Sequence, residues 1–383
     1  MSAPSSAISP QNEILEVISL RRDLHQIPEL DHDLPKTRAY LHEKLATWGC
    51  KILQPTPTSL AVFFDFGCKD ALAFRADMDA LPISEALDMP WQSRHEGQMH
   101  ACGHDAHMAM LLSLCRYLQS ALGRQEALPH NYLAIFQPAE ETTGGAKEIC
   151  ETGLLQKYRV KYVFGVHMWP GLPAGELHAR PGGQMARSGE ITVQVRGQSC
   201  HIAKASQGKD ALVAAALIAS RSLELERTAY DPQTLRLLRF GILQAGTAQN
   251  VLAGEALLRG ALRAFSNEVF ETLRAGLAQI CREVEQETGC SVDLHVSEGF
   301  PPVVNDPELF AKVQAFDPTG HLHLLSEPQM TAEDFSFYQL QVPGVFFFLG
   351  TGKNSPLHSP DFDLDELTLP GGVEFLQALT NLE

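Results

Sequence analysis

No stretch of this 383-residue chain reaches the roughly 18 consecutive apolar residues of a membrane span. The N-terminus, MSAPSSAISPQNE, lacks the basic-then-apolar order of a secretory signal. Both absences point to a cytoplasmic protein with no membrane partner. Positive charge is also scarce: 30 Lys and Arg stand against 46 Asp and Glu, a formal net charge of −16 with no basic stripe to offset it. Such a surface repels phosphate backbones, which argues against nucleic acid and for a small-molecule substrate. The eight cysteines, at 50, 68, 102, 115, 150, 200, 281 and 290, lack the dense spacing of a disulfide framework. Cys115 and Cys281 fall in helical patterns and read as buried thiols. There is no internal repeat and no low-complexity linker.

The length favours two domains, and an apolar fraction of 44% can fill both cores. Residues 13 to 49 show helical apolar spacing broken by Pro28. LAVFFDF, ALAFRADMD, NYLAIFQP and YVFGVHMW read as buried strands, with helical segments such as HMAMLLSLCRYLQSAL between them. This alternation predicts an α/β domain built on a mainly parallel sheet with helices on both faces. After RPGGQ the pattern becomes strand-helix-strand-strand-helix-strand, the order of a ferredoxin-like α+β open-faced sandwich. The α/β pattern resumes at VFFFLGTG. The expectation is a satellite domain over residues 186–296 inserted into a discontinuous catalytic domain of residues 1–185 and 297–383.

In open α/β sheets chemistry collects at the carboxyl ends of the strands, and the ligand-type residues sit where strands run out. HEGQMHACGHDAHMAM crowds four histidines, a cysteine, an aspartate and a glutamate onto one turn and a helix start. Cys102 and His104 are two apart, so they reach one centre only if the helix begins after Cys102, and Gly103 permits that turn. Thiolate and imidazole suit zinc-like ions. IFQPAEETTGGAKE ends a strand with Glu140 and Glu141, whose divergent directions let one carboxylate bind metal while its neighbour handles protons. GVHMWP places His167 at another strand end, and TGKNSPLHSPDFD places His358 in a loop. Cys102, His104, Glu141, His167 and His358 are one ligand too many for a tetrahedral site and fit two metals sharing a bridge.

The segments RRDLHQIPEL, FRADMDALPI, HACGHDAHMAM, IFQPAEE, GVHMWPGLPAGEL, GTAQNVL, LRGALRAF, TAEDFSFY and PLHSPDFD occur in a family order. The chain resembles the amidohydrolase branch of the dinuclear-metal aminoacylase and carboxypeptidase family. That branch includes hippurate hydrolases, N-acetyldiaminopimelate deacetylases and auxin-conjugate hydrolases.

The resemblance implies that Cys102 bridges two divalent ions (zinc, manganese, cobalt or nickel), with His104, Glu141, His167 and His358 as the other ligands. It makes Glu140 the general base and sets Asp77 and Asp79 behind the ligands, where they orient them. In the satellite, His201 matches a histidine lent across a homodimer interface, and Asn250 and Arg263 match groups that hold a substrate carboxylate. The implied reaction is deacylation of N-acyl-L-amino acids, N-acetyldiaminopimelate among them. The alternatives are a metallo-carboxypeptidase or dipeptidase, a hydrolase using Cys102 as nucleophile, and an inactive binding protein. One departure stands out: relatives read GGHAAMPH where this chain reads SCHIAKAS, so Ala205 and Ser206 replace a proline and a histidine.

Overall fold

A computed structural model describes residues 10–317 and 319–383, with side chains from residue 14 onward. The chain divides into two compact units. The first comprises the residues up to Gly182 with Val304–Glu327 and Asp334–Glu383, and the second comprises Gly183–Val303 with Pro328–Glu333.

The first unit is built on an eight-stranded sheet in the order Ile52–Leu53, Leu60–Phe64, Asn131–Gln137, Ala71–Asp77, Val160–Trp169, Gly344–Gly350, Leu177–Ala179, Leu322–Leu324. The four central strands, from Asn131–Gln137 to Gly344–Gly350, run parallel. Ala71–Asp77, Asn131–Gln137 and Gly344–Gly350 are buried at every residue, so their sequences are mainly apolar rather than alternating, and the polar residues they do carry, such as Arg75, Asp77 and Gln137, are buried with partners. From Ala71–Asp77 the chain crosses through helix His104–Gly123 to the strand on one side. It then returns through helices Gly145–Glu151 and Leu154–Lys157 to Val160–Trp169 on the other side. Right-handed crossovers in opposite directions place these helices on opposite faces of the sheet. The winding reverses at Ala71–Asp77, and in open α/β sheets it is at the carboxyl ends beside such a reversal that chemistry collects. Helix His104–Gly123 is buried almost all round, packed by Pro10–His25, Pro35–Thr47 and Leu369–Leu379.

The second unit has an antiparallel sheet in the order Ser291–Val296, Arg187–Arg196, Glu255–Ala264, Arg236–Ala245. Helices Ala211–Thr228 and Asn267–Thr288 cover one face. Arg187–Arg196 alternates buried and open positions, as a strand with one covered face must. Ser266 caps the second helix by accepting from the Val269 amide, and Gly289 (φ 68°) closes it in the left-handed region.

The units divide later than residue 296, at Val303, and Pro328–Glu333 lies in the second unit although its sequence reads with the catalytic domain. Backbone hydrogen bonds hold that excursion: the Ala186 amide donates to the carbonyls of Gln329 and Thr331, and the Gln329 amide donates to Gln184. Such pairing leaves no apolar period for sequence to reveal. All eight cysteines are free thiols, and Cys115 and Cys281 are buried. Among the described residues no helix is long and apolar enough to cross a membrane.

Candidate metal centre

Four neighbouring parallel strands deliver the donors. Asp77 ends Ala71–Asp77 and Asp79 follows it, Glu140 and Glu141 follow Asn131–Gln137, His167 lies near the end of Val160–Trp169, and His358 lies in the loop after Gly344–Gly350. Cys102 and His104 flank Gly103, the N-cap of the long helix, whose φ of 88° is left-handed. A Cβ on Gly103 would sit 2.9 Å from Cβ and Cγ of Met168, so this close approach requires glycine. Ala139 (φ 57°) and His358 (φ 61°) also occupy the left-handed region, an unusual conformation for residues with side chains, and both border the site.

Each histidine presents a defined lone pair. His104 Nδ1 donates to the Asp79 carbonyl at 2.8 Å, and His167 Nδ1 donates to the Met168 carbonyl at 2.7 Å, which leaves both Nε2 atoms as acceptors or ligands. His104 Nε2 is buried and has no hydrogen-bond partner. His167 Nε2 lies 3.4 Å from Cys102 Sγ, and His358 Nε2 lies 3.3 Å from the same sulfur and 3.1 Å from Glu141 Oε1. Donor atoms of Cys102, His104 and His167 fall within 4.8 Å of one another, as do those of Cys102, Glu141 and His358. The two groups share only Cys102. His104, Glu140 and Glu141 form a third such group.

The electrostatics fit a cation. Burial, then the Glu141 and Glu140 carboxylates, push the Cys102 thiol well above its ordinary range. Burial holds His104 down, and burial with the neighbouring His107 holds His167 well down. A buried thiol beside carboxylates and uncharged imidazoles is a poor arrangement by itself, whereas a divalent ion would bind the thiolate and balance the carboxylates. A buried ring nitrogen without a partner is likewise what a ligand position needs. These residues therefore fit metal.

Behind the donors stands a buried polar frame. Asp79 accepts the Glu140 amide on Oδ1 at 2.9 Å and the Glu141 amide on Oδ2 at 3.1 Å, so one carboxylate sets both glutamates. Asp77 Oδ1 accepts from His107 Nδ1 at 2.6 Å, and His107 Nε2 accepts the Met168 amide at 2.8 Å, beside His167. Both His107 nitrogens are thus engaged, and it acts as a strut, not a ligand. Arg75 donates to Asp77 Oδ2 and to Asp334 Oδ1, each at 2.7 Å, and to Gln137 Oε1 at 2.9 Å. Burial opposes the Asp77 charge, but His104, His107 and Arg75 outweigh it and hold the carboxyl well below its usual range. His107, Arg75, Gln137 and Asp334 are absent from the sequence reading. His107 had a signal, since it sits one helical turn after His104 on the same face.

His201, Asn250 and Arg263 lie in the second unit. His201 and Asn250 are exposed neighbours: the Ile202 amide donates to the Asn250 carbonyl at 3.0 Å. His201 Nδ1 accepts the Ala203 amide at 3.2 Å, which leaves the N–H of a neutral ring on Nε2. Arg263 is half-buried on Glu255–Ala264 and donates to the Met330 carbonyl at 2.7 Å.

A parallel sheet whose carboxyl edge gathers thiol, imidazole and carboxylate donors, with an α+β insert, defines a class, the two-domain α/β metallohydrolases. Comparison with known proteins narrows the class. The sequence pattern of Peptidase family M20/M25/M40 matches residues 73–381, and the chain belongs to that family. It is 34% identical over 382 residues to the N-acetyldiaminopimelate deacetylase of Streptococcus uberis, covering 95% of this chain and 99% of the relative. The deacetylase of Shouchella clausii is 34% identical over 367 residues, covering 95% and 97%. Among solved structures, the Bacillus subtilis YXEP protein, a dinuclear metal binding peptidase from the M20 family, superposes with a TM-score of 0.83 at 28% identity, covering 97% of this chain and 98% of that one. The chain is accordingly a metal-dependent amidohydrolase.

Proposed function

We propose that this chain deacylates N-acyl-L-amino acids in the cytoplasm, with N-acetyldiaminopimelate as the leading substrate. The names of the two deacetylase relatives support that choice. The observation that carries the mechanism is the sharing of one sulfur, Cys102 Sγ, by two donor groups. Cys102, His104, Glu141, His167 and His358 would hold two divalent ions, which when bound polarise the scissile carbonyl and acidify water. Glu140 is then the general base: it takes the proton of the attacking water as the new C–O bond forms. As the C–N bond breaks, it returns that proton to the leaving amine nitrogen. Asp79, gripping both amides, keeps the two glutamates in their separate tasks.

His201 donates to the developing oxyanion from Nε2, a role worth about 2.7–4 kcal/mol per donor. Asn250 and Arg263 hold the substrate carboxylate, the guanidinium as a fork. The protein is a homodimer through the second unit, whose edge strand Arg236–Ala245 leaves Ile242 43% and Leu243 46% exposed. An open edge of that kind is normally covered. Ala205 and Ser206, following His201, set acyl-group preference.

The test is a hydrolysis screen over N-acetyl, N-benzoyl and indoleacetyl amino acids and short dipeptides, with zinc, manganese, cobalt or nickel supplied in turn. N-acetyldiaminopimelate should be turned over fastest. Chelator dialysis should abolish turnover, and metal should restore it. Full turnover by metal-free protein would overturn the mechanism, and a preference for unmodified dipeptides would overturn the substrate class.

A further inference from the structure

A second group of ligand-type side chains lies at the opposite end of the sheet order from Ile52–Leu53. Leu177–Ala179 and the edge strand Leu322–Leu324 pair in parallel with His178 opposite His323. Side-chain alternation puts Glu176 on the same face as His178, and His321 on the same face as His323. The ladder extends to that row, since the Leu177 amide donates to the His321 carbonyl at 2.9 Å. The sequence thus writes Glu-x-His on one strand and His-x-His on its neighbour, and the register sets them side by side.

The side chains converge on one oxygen. His178 Nε2 is 3.1 Å from Glu176 Oε2, and His323 Nε2 is 3.7 Å from the same atom. The two rings are 5.3 Å apart between centroids and inclined at 31°. Glu176 is fixed through its backbone, its amide donating to Pro173 and its carbonyl accepting the Gly350 amide. A tetrahedral ion with bonds of about 2.0–2.1 Å keeps its donor atoms roughly 3.3 Å apart. The two nitrogen-to-oxygen separations bracket that value. The imidazoles would still need to close on each other by side-chain rotation, which His323, 45% exposed, is free to make.

We propose that Glu176, His178 and His323 form an accessory site for a divalent transition-metal ion, separate from the catalytic donors. Two imidazoles and one carboxylate favour zinc, nickel, cobalt or copper and disfavour magnesium. Among the described residues the strand Leu322–Leu324 pairs with Leu177–Ala179 and no other strand. An ion here would therefore clip that edge strand to the sheet, across 145 residues of sequence (323 − 178). Binding to the folded state alone stabilises it by mass action.

The test uses the enzyme with its catalytic metal in place. After desalting, zinc is titrated into the wild type, His323→Gln and Glu176→Gln, and the metal content and melting temperature are read. The expected result is that the wild type takes up one more equivalent of zinc than either variant and melts higher with zinc, while amide hydrolysis is equal in all three. Magnesium should produce no such shift. Equal zinc uptake and equal zinc-induced melting shifts in wild type and variants, or a matching response to magnesium, would overturn the proposal. Because His323 and Glu176 are solvent-accessible, both variants should fold, and loss of hydrolysis in either would also count against a site separate from catalysis.

Discussion

Glu140 and Glu141 differ by one position, yet their surroundings separate them. Glu141 lies against His358, while both amides hang from Asp79. Glu140→Gln should keep its metal content and lose roughly 100-fold to 10,000-fold in kcat, the scale of general-base catalysis. Glu141→Gln should lower metal occupancy, read by elemental analysis; the reverse pattern would exchange their roles. A second residue-scale prediction concerns His25, which sits 2.7 Å from Asp105 and 3.1 Å from Glu85. Burial and Arg21 lower its pKa, but Asp105 and Glu85 prevail and raise it above the usual 6.5. A raised histidine pKa gives stability that is complete below the unfolded value and is lost as pH rises through the folded value. The advantage of wild type over His25→Gln in urea midpoint should therefore be larger at about pH 6 than at about pH 9. An unchanged difference would show that His25 contributes through packing alone.

At the scale of elements, the site depends on how the helix His104–Gly123 begins. Gly103 takes a left-handed conformation against Met168, and this turn lets Cys102 and His104 face one centre. Gly103→Ala meets both the positive φ and the 2.9 Å contact, so it should cost about 1–3 kcal/mol of stability and also reduce metal content. A variant with wild-type stability and metal content would mean that the turn tolerates a side chain. The same helix start supplies His107, which carries the pull of Asp77 to the Met168 amide on the neighbouring strand. The helix was legible from its apolar run and its glycine. The strut was not, because a histidine on a buried helix looks the same in sequence whether it binds metal, holds a backbone amide or merely packs.

At the scale of the whole molecule, the question is how the second unit contributes. His201, Asn250 and Arg263 lie far in sequence from every proposed ligand, and the family resemblance implies that His201 serves a partner chain. His201→Ala should preserve folding and metal content but reduce kcat steeply, since an oxyanion donor acts mainly in the transition state. Arg263→Ala should chiefly raise KM for anionic substrates. If His201 serves a partner chain, mixing inactive His201→Ala chains with inactive Glu140→Gln chains should restore some activity, because a heterodimer would then hold one complete site. No recovery after confirmed subunit exchange would place His201 in its own chain's site or in a purely structural role.

The sequence by itself determined the two architectures and the candidate donors. Buried parallel strands must be largely apolar, half-covered strands must alternate, and strand ends mark where chemistry collects, so these features are local and survive in one dimension. Cys102, His104, Glu141, His167 and His358 could each be named from a motif. What tertiary structure decided was everything that depends on distance between separate strands. It brought His167 and His358 to within 3.4 Å and 3.3 Å of one sulfur, and it tied Asp79 to two amides some sixty residues away. It joined Arg75 to Asp334 across 259 residues, and it moved Pro328–Glu333 into the second unit. Hydrogen bonds between such remote groups carry no period and no composition, and only the folded chain makes them visible.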